Sequence, residues 1–380
     1  MKILYCTPRM FNSAGTERVL SLKANYLVQQ GYEVVFVTTE QNGRSNYFKL
    51  DERIRQIDLD LNYDIDQNVN IVRQVLNFRE KTKRYKKMLK QIVEEEKPDI
   101  IISTMGKEMG FIPKLGLKCK TVIELHSSRN FKYFHKKSHH NGILWDWFGK
   151  LLVWQMVRDT QGYDALVCLT KEDKEDWMKT NKNVHQIYNP LSYDSEKTAS
   201  LKDKCMIAVG RLDQEKNFDQ MIEAWSMVHT KFPDWKLNIW GEGYYRETLQ
   251  QLIDSKGLSG VINLGGNNNH LQDEYLKSSG CIMTSRYEGL PMVLLEAASC
   301  GLPLITYDFK CGPKDIIENG KNGYIVKQND VEGLAEAICK VICNDELRLT
   351  MGKAAKNKSE IFAQKNILPL WSKFFDSLFA

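Results

Sequence analysis

The feature that most constrains this chain is the alternation of short, nearly uninterrupted apolar runs with longer stretches of helical spacing. The first half holds KILYCTP, EVVFVTTE, PDIIISTM, KTVIELHSS, ALVCLT and VHQIYN, and the second holds MIAVG, KLNIWG, VINLGG, GCIMTS, LPLITYD and GYIV. Apolar at consecutive rather than alternate positions, such runs suit strands covered on both faces, the situation of a parallel sheet flanked by helices. Two successive sets predict an α/β fold of two doubly wound Rossmann-like domains facing each other across a cleft. The polar, proline-containing stretch 189–204 separates the sets, which gives domains at 1–190 and 191–360. The aromatic-rich tail at about 360–380 has to pack on something, and a return to the first domain is expected.

A chain of 380 residues, 42% hydrophobic and 27% charged, can build two cores and is neither disordered nor fibrous in composition. Nine cysteines occur without a C-x-x-C pair, so neither a zinc site nor a disulfide framework is indicated, and reduced thiols of a cytosolic protein are expected. The opening MKILYCTPRM runs straight into a strand, without the long apolar region of a signal peptide. The most apolar segment, 142–157 (GILWDWFGKLLVWQMV), is interrupted by Asp146 and Lys150 and does not read as membrane-spanning. Residues 1–190 carry 31 Lys and Arg against 23 Asp and Glu, and residues 191–380 carry 22 against 25, so the halves are expected to meet different partners.

In open parallel sheets ligands bind beyond the carboxyl ends of the strands, so the loops there matter most. After MIAVG comes RLDQEKNFDQMIEAW, where Phe218, Met221, Ile222 and Trp225 fall at helical spacing and Asn217 reads as the N-cap. Arg211 and Lys216 thus flank a strand-to-helix turn, from which two cations can hold a diphosphate. Alone they would equally be surface charges. After GCIMTS, Pro291 suits the first helical position, and the amides around Gly289, Leu290 and Met292 make an anion site at the helix start. Glu288 would repel a phosphate there but can accept from hydroxyls. Glu296, inside the apolar part of the helix, needs a partner. A loop charge and a buried salt bridge are the plainer readings of the two glutamates. Beside GRLDQEK, they point instead to a polyol joined to a diphosphate, a nucleotide sugar.

The other wall comes from the first domain. In SAGTERVL, Gly15 sits at the turn into a helix, where glycine lets backbone approach a ligand. The G-x-G-x-x-G fingerprint is absent, and Gly241 with Gly243 lacks a third glycine, which is poor evidence for NAD. His126 ends KTVIELH; a histidine there more often caps backbone than does chemistry, but its position opposite the diphosphate site makes it a candidate.

The stretches AGTERVL, ELHSS, VGRLDQEKN, GEGYYRETL, SRYEGLPMVLLEA and GLPLITYD carry a resemblance over nearly the whole chain. It resembles a family-4 retaining glycosyltransferase of the GT-B fold, of the bacterial surface-polysaccharide type. The resemblance implies an acceptor-binding first domain and a donor-binding second domain. By the family pattern Arg211 and Lys216 bind the donor diphosphate, Glu296 the ribose hydroxyls and Glu288 the transferred sugar. Gly15 would lie against the phosphates with the Gly289 and Leu290 amides, and His126 would face the sugar and reaction centre. Similarity of CGPKDII to members using UDP-hexoses or UDP-N-acetylhexosamines favours uridine. Two departures stand out: Ala14-Gly15 replaces the usual glycine pair, and Asp315 stands where many members carry glutamate. Retention is implied by the family. No carboxylate reads as an obvious nucleophile, so same-face attack with the leaving phosphate as base is expected. No D-x-D cluster sits at a strand end, so metal independence is expected, with no cofactor besides the donor.

On the acceptor side, 78–91 (FREKTKRYKKMLKQ) carries seven Lys and Arg with one Glu, and 130–140 (NFKYFHKKSHH) adds positive charge with aromatics. Next to the Trp-rich segment, these suit an anionic membrane face and a polyprenyl-diphosphate-linked glycan acceptor. They suit a solvated basic helix beside a buried one equally. Cytoplasmic location, peripheral on the inner face of the membrane, is the expectation. Nucleic acid fits poorly, since the second half is acidic and no binding motif occurs. A nucleotide-sugar epimerase of the same architecture is the alternative function, and a non-catalytic nucleotide-sugar binding module a third.

Overall fold

The computed structural model describes residues 1–68, 70–134 and 143–380. Seven parallel strands form the first sheet: β1 (Lys2–Thr7), β2 (Glu33–Thr38), β3 (Arg55–Asp58), β4 (Ile100–Ser103), β5 (Lys120–Glu124), β6 (Ala165–Cys168) and β7 (Val184–Gln186). Their order is β3-β2-β1-β4-β5-β6-β7. Six parallel strands form the second: β8 (Cys205–Val209), β9 (Lys236–Trp240), β10 (Ile262–Gly266), β11 (Cys281–Met283), β12 (Leu304–Tyr307) and β13 (Gly323–Val326). They run in the order β10-β9-β8-β11-β12-β13. In each sheet the order reverses beside the first strand, which opens a crevice between β1 and β4 and between β8 and β11. The fold is therefore the expected pair of doubly wound α/β domains.

The apolar runs became strands because helices cover both faces; Ile3, for example, pairs with Val34 and Ile100, and all three are buried. β3 was not among the expected strands. Its sequence RQID is polar because it is an edge, bonded only to β2 and half-exposed. Local details also moved. Asn217 precedes the helix Phe218–Lys231, but in a left-handed conformation and without a side-chain cap; its carboxamide oxygen accepts from Arg286 Nη2 at 2.6 Å instead. Pro291 lies just before the helix Met292–Ser299 rather than at its first residue.

The stretch 189–204 has no helix or strand, yet Leu191, Ala199 and Leu201 are buried in the second core. The tail forms the helix Gln364–Ser377, whose Ile367, Trp371, Phe374 and Phe375 join the core of Ile3, Tyr5 and Phe36 on the first sheet. Burying side chains of this size stabilises by about 2 kcal/mol each, ample reason for the crossing. Of the basic and Trp-rich stretches 130–140 and 142–157, residues 135–142 lie outside the described residues.

Candidate functional site

A cleft of about 1020 Å³ runs between the lobes, lined by Arg18, Tyr47 and Phe48 on one side and by Arg211, Trp240 and Glu296 on the other. The loops after β8, β9 and β10 form the second wall, and the loop after β11 packs against the first of them. Asp213 Oδ1 accepts from the amides of Glu215 and Lys216 at 3.0 and 3.1 Å, which folds the first loop into a turn. Arg286 ties the loops together, donating from its amide to the Glu215 carbonyl at 2.9 Å and from Nε to the Gln214 carbonyl at 3.0 Å. This lacing brings Lys216 to Glu288: Nζ donates to Oε1 at 2.5 Å, and Ser285 Oγ donates to the same oxygen at 2.9 Å. The Lys216 stem lies over Gly210, where a Cβ would meet its carbons at 3.3 Å.

Arg211 stands apart from that pair. Its side chain is 72% exposed at the cleft rim, 3.2 Å from both Asp213 Oδ2 and Glu215 Oε2. Glu296 has the partners its position demanded. Ser192 Oγ donates to Oε1 at 2.6 Å, Arg18 Nη1 lies 3.3 Å away from across the cleft, and Tyr275 donates to Oε2 at 3.4 Å. Burial raises the Glu296 carboxyl above its usual range, while Ser192, Arg18 and Tyr275 pull it down. The Arg18 guanidinium lies 5.1 Å from the Phe48 ring centroid. Arg18 was not singled out in the sequence, although it lies within AGTERVL.

Gly15 opens the helix Gly15–Gln29, and a Cβ there would meet nothing of the described residues within 4 Å. Neither conformation nor packing requires this glycine, so the space over it is free for a ligand. Gly289 is the reverse case. A Cβ on it would fall 2.3 Å from the His126 carbonyl oxygen, so the two lobes touch backbone to backbone here. Leu290 beside it is buried in the second core. Asp315 accepts from Tyr188 at 2.7 Å.

His126 caps no backbone group: both ring nitrogens are buried without a hydrogen-bond partner among the described residues. Burial, helped by the Lys23 charge and opposed by Glu124, brings its pKa down to about 4, so the imidazole is neutral at neutral pH. Another group escaped the sequence reading. Arg9, Glu40 and Asp64, in the loops after β1, β2 and β3, form a bridge with Arg9 2.9 Å from each carboxylate. Burial pushes Glu40 up to about 7 against the pull of Arg9. Among the described residues no three His, Cys, Asp or Glu side chains gather as metal ligands would.

The family model of Glycosyltransferase Family 4 matches residues 13–194, and that of Glycosyl transferases group 1 matches 193–358. The chain belongs to the group 1/family 4 glycosyltransferases. An uncharacterized glycosyltransferase of Haemophilus influenzae is 29% identical over 97% of this chain and 98% of its own. GalNAc-alpha-(1->4)-GalNAc-alpha-(1->3)-diNAcBac-PP-undecaprenol alpha-1,4-N-acetyl-D-galactosaminyltransferase of Campylobacter jejuni is 25% identical over 98% of each chain. Among solved structures TarM superposes with a TM-score of 0.80 at 15% identity, over 98% of each chain. An S. aureus TarM mutant in complex with fondaparinux, alpha-GlcNAc-glycerol and UDP gives 0.77 at 15% identity, over 98% of this chain and 99% of its own. These neighbours share the GT-B fold. In this glycosyltransferase Arg211 and Glu296 line the cleft, and Lys216 pairs with Glu288 on the loop that leads into the helix Met292–Ser299.

Proposed function

We propose that this enzyme transfers a hexosyl or N-acetylhexosaminyl group from a UDP-linked donor to a glycan or polyprenyl-diphosphate-linked acceptor in surface-polysaccharide biosynthesis. Transfer is metal-independent and retains the anomeric configuration. The observation that carries the reading is that Arg211 and Glu296 line the cleft while Lys216 pairs with Glu288 on the loop leading into the helix Met292–Ser299. A nucleotide sugar suits that arrangement, with ribose hydroxyls on Glu296, phosphates on the cations and amides, and sugar hydroxyls on Glu288.

Lys216 exchanges its bond to Glu288 for a phosphate oxygen, and Glu288 then accepts from the sugar. The C1–O bond to the diphosphate breaks as the acceptor oxygen bonds to C1 on the same face, and the acceptor proton passes to the leaving phosphate. Arg211, Lys216 and the amides of Gly289 and Leu290 stabilise the departing charge, the largest catalytic contribution in sites of this kind. Gly15 admits the phosphates, and His126, neutral, hydrogen-bonds the sugar. UDP in the TarM complex supports the uridine donor. The undecaprenol in the name of the Campylobacter relative supports a lipid-linked acceptor.

A peripheral position on the inner face of the cell membrane belongs to the same reading. Trp147 and Trp154 are 65% and 57% exposed on the helix Ile143–Thr160, and the helix Ile71–Glu96 carries the basic run. Among the described residues no helix is long and apolar enough to cross a membrane. The epimerase alternative is not favoured, since the relatives reported above are glycosyltransferases.

Thermal stabilisation by a panel of UDP- and GDP-sugars, with and without EDTA, tests the donor. Flotation with anionic vesicles tests the membrane position. Stabilisation by GDP-sugars alone, or loss of turnover in EDTA, would contradict the donor and metal assignments.

A further inference from the structure

Beneath the cleft, beside the end of β5, lie two charges with no exposure at all. Lys23, from the helix Gly15–Gln29, forms an ion pair with Glu124 Oε2. The Lys23 ammonium lies 3.7 Å from the Trp371 ring centroid and 4.9 Å from that of Tyr5, so the returning C-terminal helix closes over it. Packing alone does not explain such a pair, because apolar residues of similar volume generally serve stability as well or better.

The other carboxylate oxygen, Glu124 Oε1, is buried without a hydrogen bond among the described residues and faces His126 Nε2 at 3.4 Å. Among the described residues, both His126 nitrogens lack hydrogen-bond partners too. The His126 carbonyl, in turn, abuts Gly289 of the other lobe. Unsatisfied polar atoms gathered at one buried spot are costly unless a function or ligand accounts for them.

We propose, on the reading of His126 as the donor-sugar contact, that Glu124 is a positioning residue for His126. Nε2–H donates a hydrogen bond to Glu124 Oε1, which fixes the plane and tautomer of the ring. Nδ1 is then left to accept a hydrogen bond from a hydroxyl of the donor sugar. Lys23 holds the other carboxylate oxygen in place, and Trp371 holds Lys23. The C-terminal helix thereby supports the reaction centre from below.

The test uses the full chain and nucleotide release, without acceptor, from whichever of UDP-glucose, UDP-galactose, UDP-N-acetylglucosamine and GDP-mannose reacts fastest. Glu124→Gln is expected to lower kcat on the order of 10–100-fold, the range seen when an orienting partner is lost, with KM little changed. In a His126→Ala background it should cost nothing more, since the two residues act as a unit. Lys23→Met/Glu124→Gln, which removes the whole charge pair, should return Tm to the wild-type value but not kcat. Nitrogen-15 NMR of wild-type protein, with His126 assigned by its loss in His126→Ala, should show the Nε2–H tautomer. The proposal is overturned by an Nδ1–H ring, by losses that multiply between Glu124→Gln and His126→Ala, or by turnover that returns with Tm in the double variant. Normal turnover in His126→Ala instead overturns the sugar-contact reading, while the tautomer still reports whether Glu124 holds the ring.

Discussion

Lys216 and Glu288 stand 72 residues apart in the chain and 2.5 Å apart in the fold. Each side chain is less than one-fifth exposed, so the pair is neither a surface ornament nor a sealed core bridge. A cation held this way is oriented before a ligand arrives, and an incoming diphosphate offers it more charge than one carboxylate does.

Lys216→Ala should therefore lower turnover by about 10²–10³-fold, the usual effect of losing one preorganised donor at a developing anion. Circular dichroism and Tm should stay close to wild type. Lys216→Arg should recover only part of the rate, since a planar fork replaces a point charge. Near-normal turnover in Lys216→Ala would remove the lysine from the phosphate site.

Gly15→Ala separates folding from binding. Its Cβ would meet no atom of the described residues within 4 Å, and alanine suits a helix better than glycine. Stability should hold or rise by up to about 1 kcal/mol. Turnover should fall by about 10²-fold if a phosphate lies over this glycine and is displaced. Thermal melts and initial rates on the same preparation decide it.

At Gly289 the same substitution should damage both. The new Cβ would fall 2.3 Å from the His126 carbonyl oxygen, so the lobes have to part or the loop has to shift. A lower Tm and a weaker apparent donor affinity are expected together. A Gly289→Ala enzyme with wild-type rate and Tm would mean that this contact does not matter to closure.

Much of the fold could be read from the chain because the central strands are covered on both faces and announce themselves as apolar runs. β3 could not, because an edge strand facing solvent needs no such run. The site residues were legible individually, as loops after strands, but their partners were not. Arg18 reaches Glu296 over 278 residues, and no local pattern encodes that. Lys23 was not singled out either, although a lysine between Leu20, Ala24 and Leu27 on a helix's apolar side calls for a buried counter-charge, which Glu124 supplies.

His126 also predicts a pH dependence. The unfolded chain binds its proton below about 6.5, whereas the folded protein refuses it until about 4. Because the folded value is the lower one, stability is complete above pH 6.5 and declines as pH falls toward 4. Wild-type protein should lose up to about 3 kcal/mol over that window relative to His126→Asn. Denaturant melts of both proteins at pH 7.5 and 4.5 give the difference, and parallel losses would place the imidazole in water.

Lys216 and Arg211, with the start of the helix Met292–Ser299, are proposed to grip a diphosphate. Calorimetric titration of wild type and Lys216→Ala with UDP and with UMP decides the matter. UDP affinity should weaken by about tenfold or more in the variant, as for loss of a charge-assisted hydrogen bond, with UMP affinity little changed. Equal UDP affinity in the two proteins, or equal losses for UDP and UMP, would contradict it.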